Sequence, residues 1–298
     1  MNVSFGYEDI SVEVIDYNKD LARHAWNCYR MTWKELQNVE YDCNDERVKN
    51  AITDIVQYRA LPMPREQGII TFRINNISRI CLAQLTRQRK ACFNVESQMP
   101  RPISHNVILP LNICQDKELQ AEAFKLIEAS QKLYDKCIEK GIPPQDARYL
   151  TLHGQTTSCV YVVDMNTFAG SFGQRCENNI ADEINLVYRL CKKAILDKIE
   201  DDFKNGEIDA LTFRMYARVI SPADCQGAKQ HVCLNYDKVF GNGAGRYPSA
   251  NEEIESITKN ADYDFKKSAW YLELQRLPEN LLFPDEKEMI ERWKKQND

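Results

Sequence analysis

The spacing of apolar residues changes several times along the chain, and each change predicts an element. Residues 8–16 alternate, with Ile10, Val12 and Val14 apolar, and read as a strand. Asp20 is a suitable N-cap for a helix carrying Leu21, Ala25, Cys28 and Met31. Residues 46–58 place Val48, Ile52, Ile55 and Val56 on one helical face, and Leu61-Pro62-Met63-Pro64 stops that helix. Residues 69–74 read as a strand and 77–87 as a helix. The clearest helix covers 116–140, with Leu119, Ala123, Leu126, Ile127, Ser130, Tyr134 and Cys137 on one stripe. Gly141 ends it and Pro143-Pro144 follow. Another helix is expected from Pro144 through Arg148. Residues 155–163, β-branched and aromatic, fit a strand or a buried helix. A long helix covers about 178–203, and two short ones are expected at 262–276 and 285–296, beyond the turn cluster Gly241–Gly245. The mixture is α+β.

Composition narrows the class. Apolar residues make up 43% and charged residues 28% of 298, which suits a globular enzyme and excludes a disordered or fibrous chain. No apolar stretch is long enough to span a membrane, and the acidic N-terminus lacks the pattern of a signal peptide. Eleven scattered cysteines then read as reduced thiols in a cytoplasmic protein.

The net charge of −5 argues against a nucleic-acid polymer as partner, and it is unevenly spread. Residues 251–298 hold 12 acidic and 8 basic side chains, so the first 250 carry only −1. Within them, Arg79, Arg87, Arg89, Lys90 and Arg101 face a single acid, Glu96, a local +4 that suits a small anion or a solvated basic face.

The informative segment is Arg87-Gln88-Arg89-Lys90-Ala91-Cys92-Phe93-Asn94-Val95-Glu96-Ser97. Two arginines at i and i+2 offer planar donors for phosphate, and a Ser in the following loop can donate to the same oxygens. This segment resembles the signature of the flavin-dependent thymidylate synthases, Arg-His-Arg, seven residues, Ser. Three further blocks agree in order: Tyr29-Arg30-Met31-Thr32-Trp33, Pro64-Arg65-Glu66-Gln67 with the strand after it, and Pro143-Pro144-Gln145-Asp146-Ala147-Arg148, with Arg175 following 27 residues later. The resemblance covers roughly residues 1–210.

The resemblance implies a fold of that family, a central, mostly antiparallel sheet with flanking helices. It implies a catalytic domain over 1–221 and a helical C-terminal extension over 222–298, packed on the body or on a partner subunit. It implies FAD, NADPH and 5,10-methylenetetrahydrofolate as cofactors, a pyrimidine nucleoside monophosphate as substrate, and a homotetramer with sites at subunit interfaces. Carried over by position, Arg87, Gln88, Arg89, Glu96, Asp164, Asn166 and Gly170 would contact the flavin. Gln84, Arg87, Glu96, Ser97, Arg101, Arg148 and Arg175 would hold the nucleotide, with Arg175 polarising the pyrimidine as the catalytic residue. No nucleophilic cysteine is needed, and Cys92 reads as a small packing residue.

The chain also departs from the family pattern. Gln88 replaces the signature His, Glu96 is displaced by one residue, and Met99 stands where the family has a phosphate-binding Arg, so that Arg101 would have to substitute. Gln67 replaces the last His of the Pro-Phe-Glu-His block, and the family's Asn, Arg and Asn flavin contacts are Asp164, Asn166 and Gly170. Altered contacts suggest an altered substrate more than an altered reaction class. Uridylate, deoxycytidylate or a hydroxymethyl product therefore stand beside deoxyuridylate, and a non-catalytic nucleotide-binding homologue, or a flavin-free enzyme using folate alone, stands as an alternative. His24, His105 and His153 read as surface or structural residues, and Cys225-x5-His231-x-Cys233, with Cys176, is too unusual a spacing to predict a metal site.

Overall fold

The computed structural model describes residues 2–5, 7, 9–56, 60–99, 106–175 and 181–220. The expected extension over 222–298, with its two short helices, lies outside the described residues, as do Arg101, His105, Cys176 and the Cys225–Cys233 group. In chain order the elements are β1 (Asn2–Phe5), β2 (Ser11–Tyr17), α1 (Leu21–Arg30), α2 (Glu46–Val56), α3 (Met63–Glu66), β3 (Ile69–Ser78), α4 (Arg79–Leu85), β4 (Ala91–Val95), β5 (Asn106–Leu109), α5 (Leu111–Cys114), α6 (Lys117–Glu139), α7 (Pro144–Ala147), β6 (Thr156–Asp164), α8 (Met165–Gly170), α9 (Phe172–Arg175), α10 (Asp182–Lys204) and α11 (Ala210–Ile220).

Four strands form an antiparallel sheet in the order β2-β3-β6-β4, and β1 pairs parallel with β5 beside it. Alternation decides which face is covered. Ile70, Phe72 and Ile74 of β3, and Cys159, Tyr161 and Val163 of β6, are buried, while Ile69, Arg73, Cys92 and Asn94 face outward. On the covered face lie α10, α1 and α11, and their buried side chains join one core with the sheet. α11 is covered on all sides: its buried positions run almost without a break from Ala210 to Ile220 and include the polar Thr212 and Arg214.

Three expectations are refined. α2 is described to Val56, and the proline stretch before β3 starts a one-turn helix, since Pro64 near a helix start has no N–H to lose. The 155–163 segment is a central strand, β6, bonded on both sides. Residues 91–95, read as loop, are the edge strand β4, with Phe93 stacked on Tyr161 at 5.1 Å between ring centroids.

The stripe on α6 exists, but it is only half covered. Ile127 and Tyr134 are buried, and Ser130 donates to the Leu150 carbonyl. On the other side of the same stripe Leu119, Leu126 and Leu133 are 54%, 59% and 48% exposed. Their spacing of seven residues puts all three on one line down the helix.

Candidate functional site

One end of the sheet gathers most of the predicted flavin residues. Ile69, at the start of β3, pairs with Asp164 at the end of β6, and Ala91, at the start of β4, pairs with Val163. The turn between α4 and β4, which carries Arg87, Gln88 and Arg89, therefore sits beside the junction of β6 with α8. α9 and Arg175 follow directly. α3 joins from the other side: Lys90 pairs with Glu66 at 3.5 Å, and Arg65 Nε donates to Asn166 Oδ1 at 3.1 Å.

Beneath this end lies a layer of aromatic rings. Phe168 stacks on Tyr188 at 5.7 Å, and Phe172 meets Tyr188 edge-on at 5.5 Å. Tyr161 stacks on Phe72 at 5.9 Å. Such packing fixes ring positions and leaves the two phenolic hydroxyls at defined points. Both point at one acceptor. Tyr161 and Tyr188 donate to Gln88 Oε1 at 2.5 and 2.7 Å. Gln88 Nε2 in turn donates to Ser171 Oγ at 2.5 Å and to the Thr167 carbonyl at 3.4 Å. Burial pushes the Tyr188 hydroxyl up to about 12, against the opposing pull of its Tyr161 and Ser171 hydrogen bonds and of the Arg175 charge, and burial raises Tyr161 as well. Both tyrosines are therefore neutral donors at physiological pH.

The remaining flavin candidates are held as follows. Asp164 caps α8, its Oδ1 accepting from Thr167 N at 2.8 Å. Gly170 is exposed, and a side chain there would meet nothing within 4 Å, so open space lies next to it. Arg87 and Arg89 are exposed and form no ion pair among the described residues. The backbone N of Arg175 donates to the Ser171 carbonyl at 3.0 Å. Two uncommitted arginines and open space suit an anionic, phosphate-bearing group.

The predicted nucleotide residues divide between two places. Gln84 lies in the last turn of α4 near Arg87, whose N donates to the Gln84 carbonyl at 3.3 Å. Gln84 Oε1 is buried and has no hydrogen-bond partner among the described residues. Glu96 and Ser97 lie at the far end of β4, about 14 Å of strand away from the arginine turn at the usual rise per residue. There the Glu96 N donates to the Ser158 carbonyl at 2.9 Å, and Ser97 Oγ accepts from Met99 N at 3.3 Å. Arg148 follows α7 in a short turn, its Nε on the Gln145 carbonyl at 3.1 Å. Within one chain, the Ser97 end and the Arg87 and Arg175 end are not brought together.

Sequence reasoning missed several residues that shape the site. Arg65 is buried, and besides Asn166 it reaches the Ile55 carbonyl at 2.5 Å. Glu183 is buried and accepts from Ser78 N at 2.6 Å and Ser78 Oγ at 2.5 Å, which fixes the start of α4. Burial raises its carboxyl, against those hydrogen bonds. Arg65 stood in a quoted block, whereas Tyr161, Ser171, Glu183 and Tyr188 carry no local signal.

One reading is corrected. Cys92 is not a packing residue, because the alternation of an edge strand turns it to the open face. Cys81, Cys159 and Cys191 are buried, and burial raises each thiol. His24 is a surface residue, 2.9 Å from the Asn18 amide, and His153 is exposed. Among the described residues no cluster of metal-ligating side chains occurs, and no helix is long and apolar enough to cross a membrane.

The family model described as "Thymidylate synthase complementing protein" matches residues 13–199. The flavin-dependent thymidylate synthase of Pyrococcus abyssi is 26% identical over 176 residues, covering 56% of this chain and 72% of that one. That of Saccharolobus solfataricus is 28% identical over 184 residues, covering 60% and 69%. Among solved structures, the UMP/dUMP methylase PolB from Streptomyces cacaoi, bound with 5-Br dUMP, aligns with a TM-score of 0.55 at 16% identity, over 74% of this chain and all of that one. Thymidylate synthase X from Helicobacter pylori, with FAD and dUMP, aligns at 0.50 and 16% over 71% and 99%. These structures share the fold. The chain belongs to the thymidylate synthase complementing protein family, and it is an enzyme of the flavin-dependent thymidylate synthase type.

Proposed function

We propose that this enzyme methylates C5 of a uracil nucleoside monophosphate, dUMP or UMP. The methylene comes from 5,10-methylenetetrahydrofolate and the hydride from NADPH by way of FAD. The observation that carries the reading is the convergence of the Pro64–Gln67 block, the Arg87–Arg89 turn, α8 and Arg175 at one end of the sheet, with Arg87 and Arg89 uncommitted. Bound there, FAD would supply the hydride chemistry and folate the carbon.

The protein's part is position and charge. Arg87 and Arg89 face the anionic cofactor, and the side of α8 near Gly170 gives it room. Arg175 places a fixed positive charge where the pyrimidine ring would gain electron density. Gln84 Oε1, a buried acceptor without a partner, suits the N3–H of uracil. Cytosine presents an acceptor at N3 and would leave both atoms unpaired, which argues against deoxycytidylate. Ser97 and Arg148 serve the nucleotide phosphate.

The separation of those two from the arginine turn favours a site completed by a second copy of the chain. The half-covered stripe of α6 offers a surface for that copy. Ala129 lies between Leu126 and Leu133, with Glu122 and Lys136 seven residues before and after it. An antiparallel second α6 centred on Ala129 would bury the leucines and set each Glu122 against the partner copy's Lys136. Purified protein tests the chemistry. It is expected to carry a flavin absorption band and to convert dUMP or UMP when supplied with methylenetetrahydrofolate and NADPH. A colourless protein that takes up no FAD overturns the reading.

A further inference from the structure

We propose that Gln88 is a positioning residue, a saturated amide that turns inward and holds the Arg87–Arg89 turn in register with α9 so that the two arginines stay aimed outward. This rests on the flavin reading given above. Oε1 accepts from Tyr161 on β6 and Tyr188 on α10, and Nε2 donates to Ser171 and to the Thr167 carbonyl at the junction of α8 with α9. A primary amide has two acceptor sites and two donor hydrogens, so all four are occupied by protein and none remains for a ligand. The residue that carries Gln88 lies between the two exposed arginines, and pulling its side chain into the core directs its neighbours away from it.

The same cluster reaches Arg175. Ser171 Oγ, which accepts from Gln88, also donates to the Thr167 carbonyl at 2.6 Å, and the Ser171 carbonyl receives the backbone N of Arg175 at 3.0 Å. One amide thus links a strand, the start of a long helix, the cofactor turn and the one-turn helix ending in Arg175. Preorganisation of this kind acts on ligand affinity by lowering the cost of ordering the site. A ligand-touching role would instead require a free donor or acceptor on Gln88.

Three variants separate positioning from plain stability. Gln88→Met strands two buried hydroxyls and is expected to lower both stability and FAD affinity. The triple variant Gln88→Met, Tyr161→Phe, Tyr188→Phe removes both sides of each bond. It is expected to regain a melting midpoint within about 3 °C of the unsubstituted protein while its FAD dissociation constant stays at least about tenfold higher. Ser171→Ala, the removal of one buried hydroxyl from the cluster, is expected to weaken FAD by about threefold and to lower kcat with little change in the KM for nucleotide. FAD binding to the triple variant and to Ser171→Ala as tight as in the unsubstituted protein overturns the proposal and leaves the proposed function standing. Failure of the unsubstituted protein to bind FAD overturns both.

Discussion

Arg65 on α3 and Asn166 on α8 are joined through Nε and Oδ1 at 3.1 Å, and the same guanidinium reaches back to the Ile55 carbonyl near the end of α2. A buried charge therefore ties three helices together behind the Arg87–Arg89 turn, and Asn166, expected to contact flavin, already has one amide atom engaged. Arg65→Met is expected to destabilise the protein by about 2–4 kcal/mol, because the Ile55 carbonyl and Asn166 lose a charged donor. Chemical denaturation checks this, and a change below about 0.5 kcal/mol would show that the tie carries no weight.

Arg175 is the last residue of α9 and, like Arg87 and Arg89, has no carboxylate partner among the described residues. Arg175→Ala is expected to lower kcat at least about a hundredfold while leaving flavin retention nearly intact. Steady-state kinetics beside the visible spectrum separates the two effects. Turnover equal to that of the unsubstituted enzyme removes the assignment.

Ser97 and Arg148 lie away from the arginine turn, and their proposed contact is with the nucleotide phosphate. Ser97→Ala and Arg148→Ala are each expected to raise the KM for nucleotide by about tenfold with a smaller effect on kcat, as for a contact made equally in ground and transition states. Arg87→Ala is expected to weaken FAD as well. A KM unchanged in both Ser97 and Arg148 variants would place the phosphate elsewhere.

Asp202 anchors β2 to α10. It accepts from Tyr17 Oη at 2.7 Å and Lys198 Nζ at 2.8 Å, and Lys19 lies at 3.2 Å. Burial works to raise its pKa, but the bonds from Lys198, Tyr17 and Lys19 outweigh burial and hold the carboxyl below its usual value. A depressed carboxylate stabilises the fold above its unfolded pKa of about 4 and loses that contribution as pH falls through the native value. Asp202→Asn is expected to cost about 2 kcal/mol at pH 7, allowing for the exposure of both lysines, and the difference is expected to start shrinking near pH 4 and to vanish only below the native value. A constant difference across that range contradicts the linkage.

The leucine stripe of α6 gives a prediction about assembly. The chain is expected to scatter light as an oligomer and Leu126→Asp to scatter at lower mass while keeping its folded circular-dichroism spectrum, since Leu126 is more than half exposed in the single copy. An unchanged mass removes α6 from the interface.

How much of this was legible in the sequence depends on whether the signal is local. β2, β3, α1, α2 and α6 follow from period and punctuation, because each has one covered and one open face or a clear stop. α11 was not among the elements read from the sequence, and its burial on all sides, Thr212 and Arg214 included, is set by packing against distant elements. β4 was hidden because a motif reading treats the residues between Arg89 and Ser97 as a loop, although Phe93 alternates with Cys92 and Asn94. For the site, Arg87, Arg89, Asp164, Asn166 and Arg175, named from the sequence blocks, gather at one sheet end. The inward turn of Gln88 was not legible. It depends on Tyr161, Ser171 and Tyr188, which lie 73, 83 and 100 residues away in sequence. A substituted signature position gave no sign of whether it faces ligand or core.

The central claim is tested most directly by offering the flavin-loaded enzyme an equimolar mixture of dUMP, UMP and dCMP with methylenetetrahydrofolate and NADPH, and weighing the products by mass spectrometry. The expected result is a uracil monophosphate heavier by one carbon and two hydrogens, with dCMP unchanged. No product from any of the three at full flavin loading contradicts the methylase reading, and a product from dCMP alone contradicts the role given to Gln84.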